Sequence, residues 1–319
     1  MISKENPHIH VIKNQLPRLI MGRLSGKVAL VTGSGRGFGR PIAMAYAQEG
    51  CRVVAAALES DELNELASVI RSKGGEVLTI PVDLSKESEI ERMKKEVLDA
   101  YGRLDILVNN AAVSLWKTME QMTAKDWDLT IAVNLRAYFL NVKAFLDTMK
   151  KQGHGSIINI TSRSAEEGFV GEIAYCPSKF GIEGLTQCMA LELRQYNIAV
   201  NTLNVGAPPG KHLKPTSLTL EEARKLPDEL KQQYADDDSM VEAFSEAWTF
   251  LALQDGHQIT GQRLLVRELS AFLKKEGWDA AVSKWRGKLT RAVYTPYDFP
   301  KLVRYQTPDG GWKELKFED

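Results

Sequence analysis

Short apolar runs and longer amphipathic stretches alternate along this chain, and that alternation is its strongest signal. Val28-Ala29-Leu30-Val31 is an apolar run that leads into a glycine-rich turn. Over residues 38–49 apolar positions recur at helical spacing, with Ile42, Ala45 and Tyr46 on one face, and Gly50 stops the helix. Pro41 falls in the first turn of that helix, where a missing N–H costs little. The pattern then repeats. It predicts strands over 52–57, 76–82, 104–109, 156–160, 198–203 and 263–266, and helices over 61–73, 87–101, 125–151, 175–196 and 241–253. Ile106-Leu107-Val108 has no polar alternation, as a strand buried on both faces requires. Strands alternating with helices of this length predict an α/β fold, a parallel sheet with helices on both faces.

Three segments depart from this rhythm. Residues 1–22 lack periodicity and read as an N-terminal extension; Met21 precedes a natural domain start, so residues 1–20 also fit an upstream-start artefact. Residues 23–266 carry the regular pattern as one domain. Within it, residues 207–239 are rich in proline and charge, with short helical patterns around 219–235. Residues 267–319 form a C-terminal extension containing Trp278, Trp285, Tyr294, Tyr297, Phe299, Tyr305 and Trp312. So many aromatics are expected to pack on the domain or on a neighbouring subunit.

Composition narrows the function classes. Lys plus Arg total 41 and Asp plus Glu total 41, so bulk attraction to nucleic acid or to an anionic membrane surface is not expected. Cys51, Cys176 and Cys188 are too few and too scattered for a disulfide framework or a zinc site, which makes the reducing cytoplasm the default location. No apolar run approaches ~18 residues, and polar residues interrupt residues 1–20, so neither a membrane span nor a signal peptide is expected.

The turn Thr32-Gly33-Ser34-Gly35-Arg36-Gly37-Phe38-Gly39 lies between the first strand and the first helix, where a doubly wound sheet of the Rossmann type binds a dinucleotide. Glycines let the backbone turn sharply and let a pyrophosphate approach. The helix N-terminus adds unpaired N–H groups and a partial positive charge. A glycine pattern alone is weak; the flanking strand and helix strengthen it. No Gly-Lys-Ser/Thr ending follows, so this is not the loop of a nucleotide triphosphatase.

Tyr175 and Lys179 lie four residues apart at the start of a predicted helix and share one face. Ser162 follows the strand at 156–160. A phenol is a poor base near neutral pH, but an adjacent ammonium and a helix N-terminus both favour phenolate. Such a tyrosine can take a proton from an alcohol or give one to a ketone oxygen. A Tyr–Lys pair by itself is most often plain helix surface; the glycine turn upstream shifts the reading to a site.

Taken together, these motifs resemble the short-chain dehydrogenase/reductase family in its single-domain form, across roughly residues 25–266. Thr32 to Gly39 matches the family's TGxxxGxG turn, with Gly33, Gly37 and Gly39 as its glycines. Val82-Asp83-Leu84, Asn109-Asn110-Ala111-Ala112, Val133-Asn134-Leu135 and Ile259-Thr260-Gly261-Gln262 match further motifs in order. The resemblance implies Tyr175 as general acid/base and Lys179 as the group that lowers its pKa and binds the nicotinamide ribose. It implies Ser162 as the group that positions the substrate oxygen, and Asn134 as holder of a relay water near Lys179. It also implies a dinucleotide held by Gly33, Ser34, Gly35, Arg36, Gly37, Phe38, Gly39, Asp83, Leu84, Asn110, Ala111, Tyr175, Lys179 and Val205, with no metal. A small-molecule carbonyl or alcohol substrate and a homodimer or homotetramer follow from the same resemblance. The cofactor expected is NADP(H) in preference to NAD(H). The end of the second strand carries Ala57-Leu58 where NAD-specific relatives usually place an acid, and Arg36 can meet a 2′-phosphate; Glu59 opposes this if it turns inward.

The chain departs from the family where Val205-Gly206 replaces Pro-Gly, in the absence of the threonine that often follows, and in its long loop and tail. The competing function is a catalytically silent dinucleotide-binding sensor or scaffold, which the intact Asn134, Ser162, Tyr175 and Lys179 set opposes. Among weaker signals, Asp236-Asp237-Asp238 reads as a solvated loop, and His8 and His10 as an exposed tail. Lys211 and His212 stand where a substrate loop would close. Trp116, Glu166, Glu167 and Glu172 are candidate pocket walls as readily as packing or surface. Cys176 reads as a small packed thiol.

Overall fold

A computed structural model describes residues 22–213, 219–290, 300–307 and 311–316. Residues 1–20, with His8 and His10, and the tail aromatics Tyr294, Tyr297 and Phe299 lie outside the described residues. Among the described residues a parallel seven-stranded sheet runs in the order β3-β2-β1-β4-β5-β6-β7. Its strands are β1 (Val28–Thr32), β2 (Arg52–Ala57), β3 (Glu76–Pro81), β4 (Ile106–Asn109), β5 (Gly155–Thr161), β6 (Ile198–Asn204) and β7 (Arg263–Leu265). The connections are α1 (Gly39–Gln48), α2 (Ser60–Ser72), α3 (Glu87–Tyr101), α4 (Ala124–Ile131), α5 (Ala137–Gln152) and α6 (Tyr175–Leu193). After β6 come α7 (Leu220–Lys225), α8 (Asp228–Gln233) and α9 (Asp237–Ala252). This is the doubly wound Rossmann-type fold that the alternation predicts.

Strand pleating divides the core into two layers. Ala29 and Val31 of β1 face one layer, with Tyr46, Leu63, Phe244 and Trp248. Val28 and Leu30 face the other, with Met93, Val97, Phe145 and Met149. The stretch Ala124–Gln152 is long and apolar enough, by length and composition, to cross a membrane. Half of its most apolar window is buried in the fold, where α5 packs beside β4 and β5.

Three features differ from the sequence-based expectation. The helix expected over 125–151 is broken by a π-helical turn, Ala132–Arg136. The run Asp236-Asp237-Asp238 is not a free loop: Asp236 caps α9, Asp237 binds Arg40, and Asp238 pairs with Lys73. Acidic residues at a helix start are stabilised by its unpaired N–H groups, which a charge-run reading overlooks. Nor does the body end at the last strand. Helix α10 (Val266–Glu276) starts directly after β7, followed by α11 (Trp278–Trp285). Leu269, Leu273 and Ala281 join the core. A separate antiparallel hairpin, β8 (Leu302–Gln306) with β9 (Trp312–Lys316), follows.

Asp105 fastens the start of the central strands. Its buried carboxylate accepts the Val28 N–H at 2.9 Å and two bonds from Arg103 at 2.9 and 2.6 Å. Burial alone raises the carboxyl, but the bonds from Arg103 and Val28 outweigh it and hold the group below its ordinary value. A carboxyl depressed in the folded state stabilises above its unfolded pKa, and that stability is lost as pH falls through the folded value. Asp105→Ala is therefore expected to cost about 2 kcal/mol at neutral pH in chemical denaturation, with the difference shrinking in acid.

Candidate active site

β1 has β2 on one side and β4 on the other, so the strand order reverses there and a crevice opens beyond the carboxyl ends. The glycine turn follows β1 and Asn110 follows β4, which brings both to that crevice. Thr32 ties them: its hydroxyl donates to Val108 O at 3.2 Å and accepts the N–H groups of Asn110 at 2.9 Å and Ala111 at 3.2 Å. The Asn110 side chain donates to Thr32 O at 2.9 Å and Gly33 O at 3.1 Å. A Cβ on Gly39 would stand 2.5 Å from both Asn110 Nδ2 and Gly33 O, so glycine is required there by close approach. Gly37 is different. It has φ +60°, and a Cβ would meet nothing within 4 Å. The Cβ side of Gly37, just before α1, thus has room for a pyrophosphate, and this fits the dinucleotide expected from the sequence.

Arg36 does not stand apart in this turn. Its guanidinium bonds Glu62 of α2 at 2.9 Å. Glu59 is exposed at the start of α2, and Leu58 beside it is exposed too. Arg40, 4% exposed, bonds Asp237 at 2.8 Å, Glu65 at 3.1 Å and Gly35 O at 3.3 Å. Arg224 of α7 reaches the same Glu65, so the insert after β6 is anchored beside the glycine turn. Lys211 and His212 fasten the base of that insert: Lys211 Nζ donates to Gln232 O at 2.6 Å, and the His212 backbone pairs with Gln233 and Ala235. Asp83, beyond β3, accepts from Ser85 at 2.6 Å and pairs with Lys86, beside buried Leu84. Half-buried Val205 packs against the core at the end of β6.

The four expected catalytic side chains come from separate elements. Asn134 sits fully buried in the π-helical turn, a local widening that often accompanies function. Its amide accepts the Val113 N–H at 2.7 Å, donates to Val113 O at 2.9 Å, and meets Ser178 at 3.2 Å. Ser162 follows β5, and its hydroxyl is hydrogen-bonded to the Tyr175 phenol. Lys179 is buried, and its ammonium donates to Ile160 O at 3.0 Å. The same ammonium lies 5.3 Å from the Tyr175 ring centroid and 5.7 Å from that of Tyr138. Burial lowers Lys179 to about 7, against a raising influence from Glu183.

The phenol departs from the sequence-based expectation. Burial, then the nearby Glu172 carboxylate, raises it above its ordinary value, while the bond from Ser162 pulls the other way. Desolvation outweighs any charge effect because Tyr175 and Lys179 are withdrawn from water together. A neutral phenol at neutral pH is a proton donor.

Sequence reasoning missed the supports beneath these groups. Asn141, Asn109, Asn159 and Thr186 form a buried chain of hydrogen bonds of 2.9, 2.9 and 2.8 Å that links α5, β4, β5 and α6. The polar Asn159 among the isoleucines of β5 was the available signal. Arg263 of β7 donates to Ser162 O at 3.2 Å and pairs with Glu166 and Glu183. Trp116 has φ +44°, unusual for a bulky residue, and its indole N–H is buried without a partner.

Comparison with known proteins shows the family. The short chain dehydrogenase family model matches residues 27–216. The chain belongs to the short-chain dehydrogenase family. It is 36% identical over 182 residues to a D-threitol dehydrogenase of Mycolicibacterium smegmatis, covering 57% of this chain and 70% of that one. It is 35% identical over 184 residues to a 3-oxoacyl-(acyl-carrier-protein) reductase of Thermotoga maritima, covering 58% and 75%. Among solved structures, a metagenomic short-chain oxidoreductase in complex with NADP superposes with TM-score 0.63 at 31% identity, covering 76% of this chain and 98% of that one. This short-chain dehydrogenase is thus an oxidoreductase of a family that uses NAD(P).

Proposed function

We propose that this short-chain dehydrogenase interconverts a secondary alcohol and a ketone, with Tyr175 as general acid/base assisted by Lys179, Ser162 and Asn134. The observation that carries the reading is the Tyr175–Ser162 hydrogen bond with the Lys179 ammonium beside the same ring. In this reading both hydroxyls serve one substrate oxygen. The bound dinucleotide supplies a hydride to the carbonyl carbon, or takes one from the carbinol carbon. In reduction Tyr175 gives its proton to the ketone oxygen, so hydride and proton together complete the alcohol. Ser162 orients that oxygen, Lys179 stands beside the phenol ring and is charged below about 7, and Asn134 fixes the backbone at Val113. The same reading carries a small carbonyl or alcohol substrate and a cytoplasmic homodimer or homotetramer. Ethyl acetoacetate with NADPH, and D-threitol with NADP+, are the first assays. Dinucleotide binding without turnover across a wider ketone and alcohol panel would favour a scaffold instead.

The cofactor proposed is NADP(H). Arg36 supports it, as does the exposed Leu58 where an acid would hold a ribose hydroxyl. Glu62 works against it, since its carboxylate occupies Arg36 and repels a 2′-phosphate. Glu62→Gln is expected to raise the ratio of kcat/KM for NADPH over NADH by about 5- to 10-fold. An unchanged or smaller ratio would remove Arg36 from phosphate recognition.

A further inference from the structure

We propose that Glu172 is a positioning residue that sets, through Ser164, whether the Ser162 hydroxyl offers its hydrogen or its lone pair to the reacting oxygen. The proposal rests on the ketone–alcohol reading of the Tyr175 site.

Glu172 lies just before α6 and is 7% exposed. Its carboxylate accepts from the Ser164 hydroxyl and, at 3.3 Å, from Cys176 Sγ. Ser164 is 5% exposed, and its Oγ stands 3.2 Å from Ser162 Oγ. Ser162 in turn meets the Tyr175 phenol. One line of hydrogen bonds thus joins a buried carboxyl to the acid/base group through two hydroxyls.

The acid has no paired cation among the described residues. Lys117, whose backbone bridges that of Glu172, gives its ammonium to Asp126 at 2.7 Å. Arg163 pairs with Glu167, and Arg263 pairs with Glu166 and Glu183. The Lys179 ammonium is bonded to Ile160 O. On α6, Tyr175 and Cys176 face Glu172, and both are raised by burial and by its charge, the thiol to about 12. A buried carboxylate without a cation is costly, and protonation relieves the cost. Burial accordingly lifts Glu172 above the ordinary carboxylate value, against the lowering bonds from Ser164 and Cys176.

The proton on Glu172 then decides the direction of the line. A serine hydroxyl has one hydrogen to give. With Glu172 ionised, Ser164 spends its hydrogen on the carboxylate, and Ser162 gives its own to Ser164 rather than to the Tyr175 phenol. Ser162 can then only accept at the substrate oxygen. With Glu172 neutral, the carboxyl donates to Ser164, Ser164 donates to Ser162, and the Ser162 hydrogen is released toward the substrate. A ketone oxygen can only accept, so reduction is faster below the Glu172 titration than above it.

The test is the pH profile of kcat/KM for ethyl acetoacetate reduction with NADPH in wild type, Glu172→Gln and Ser164→Ala. Wild type is expected to lose about 10-fold or more as pH rises through the Glu172 titration, as for one lost oxyanion donor. Glu172→Gln should lack that limb, because an amide N–H always donates to Ser164. Ser164→Ala should lack it because the line is cut. The limb from Lys179, which burial lowers to about 7, remains in both. A purely structural Glu172 would change rates without removing a limb, and a second limb retained in either variant beside the one from Lys179 overturns the proposal. A second readout needs no turnover. Infrared difference spectra of wild type against Glu172→Gln should contain a protonated carboxyl that titrates above the ordinary carboxylate range and shifts in Ser164→Ala. Absence of that band overturns the proposal even where the ketone reading fails, and Ser164→Ala serves if Glu172→Gln does not fold.

Discussion

Tyr175→Phe is expected to lower kcat by about 100- to 10,000-fold while the protein still folds and still binds NADPH. The substitution removes one oxygen and keeps the ring, which lies beneath the Lys179 ammonium at 5.3 Å from its centroid. Ser162 keeps its bonds to Ser164, and its carbonyl keeps the bond from Arg263, so the local backbone has no reason to move. What disappears is the proton that must reach the ketone oxygen as the carbon accepts a hydride. Steady-state kinetics, with NADPH binding followed by fluorescence, separate the chemical step from cofactor affinity. A Phe variant with near-wild-type kcat would remove Tyr175 from the acid/base role.

Truncation after Leu269 is expected to lower the melting temperature by about 10 °C or more, or to abolish folding. The lost segment carries Leu273 and Ala281, both in the core, with Phe272, Trp278, Val282 and Trp285 packed against it. The Trp278 ring meets Phe250 at 5.2 Å, and its indole N–H bonds Glu246 at 3.1 Å. Thr290 donates its N–H to Gly261 O at 2.9 Å and accepts the Arg263 N–H at 3.0 Å, which covers the last strand of the sheet. Burial at ~1.5–3 kcal/mol for each large apolar side chain makes the loss about 5 kcal/mol or more. That is comparable to the whole stability of a typical domain. Truncation after Thr290 removes the β8–β9 hairpin instead. Every residue of β9 is exposed, so the melting temperature of the body should barely change. Scanning calorimetry of the two truncations tests the contrast.

The sequence by itself determined the architecture. Apolar runs such as Ile106-Leu107-Val108 can be satisfied only between two helical layers, and β2 and α3 fall on the residues the pattern predicts. It also determined the turn and the Tyr175–Lys179 face, because both are local: one needs glycines in succession, the other a four-residue helical spacing. What sequence periodicity cannot carry is partnership across the fold. Glu62 of α2 holds Arg36 of the turn, Asp237 of α9 holds Arg40 of α1, and β7 supports Ser162 through Arg263. The phenol's upward shift is of the same kind, since desolvation depends on everything packed around Tyr175 rather than on the lysine four residues away. Glu172 illustrates the difference most directly. In sequence it is one of three glutamates between Ser162 and Tyr175, and its side chain carries no mark of its environment. Glu166 and Glu167 find arginines, whereas Glu172 is buried against the Ser164 hydroxyl and the Cys176 thiol. Only the tertiary structure decides which carboxylate is surface and which is buried, because burial is a property of packing and not of spacing.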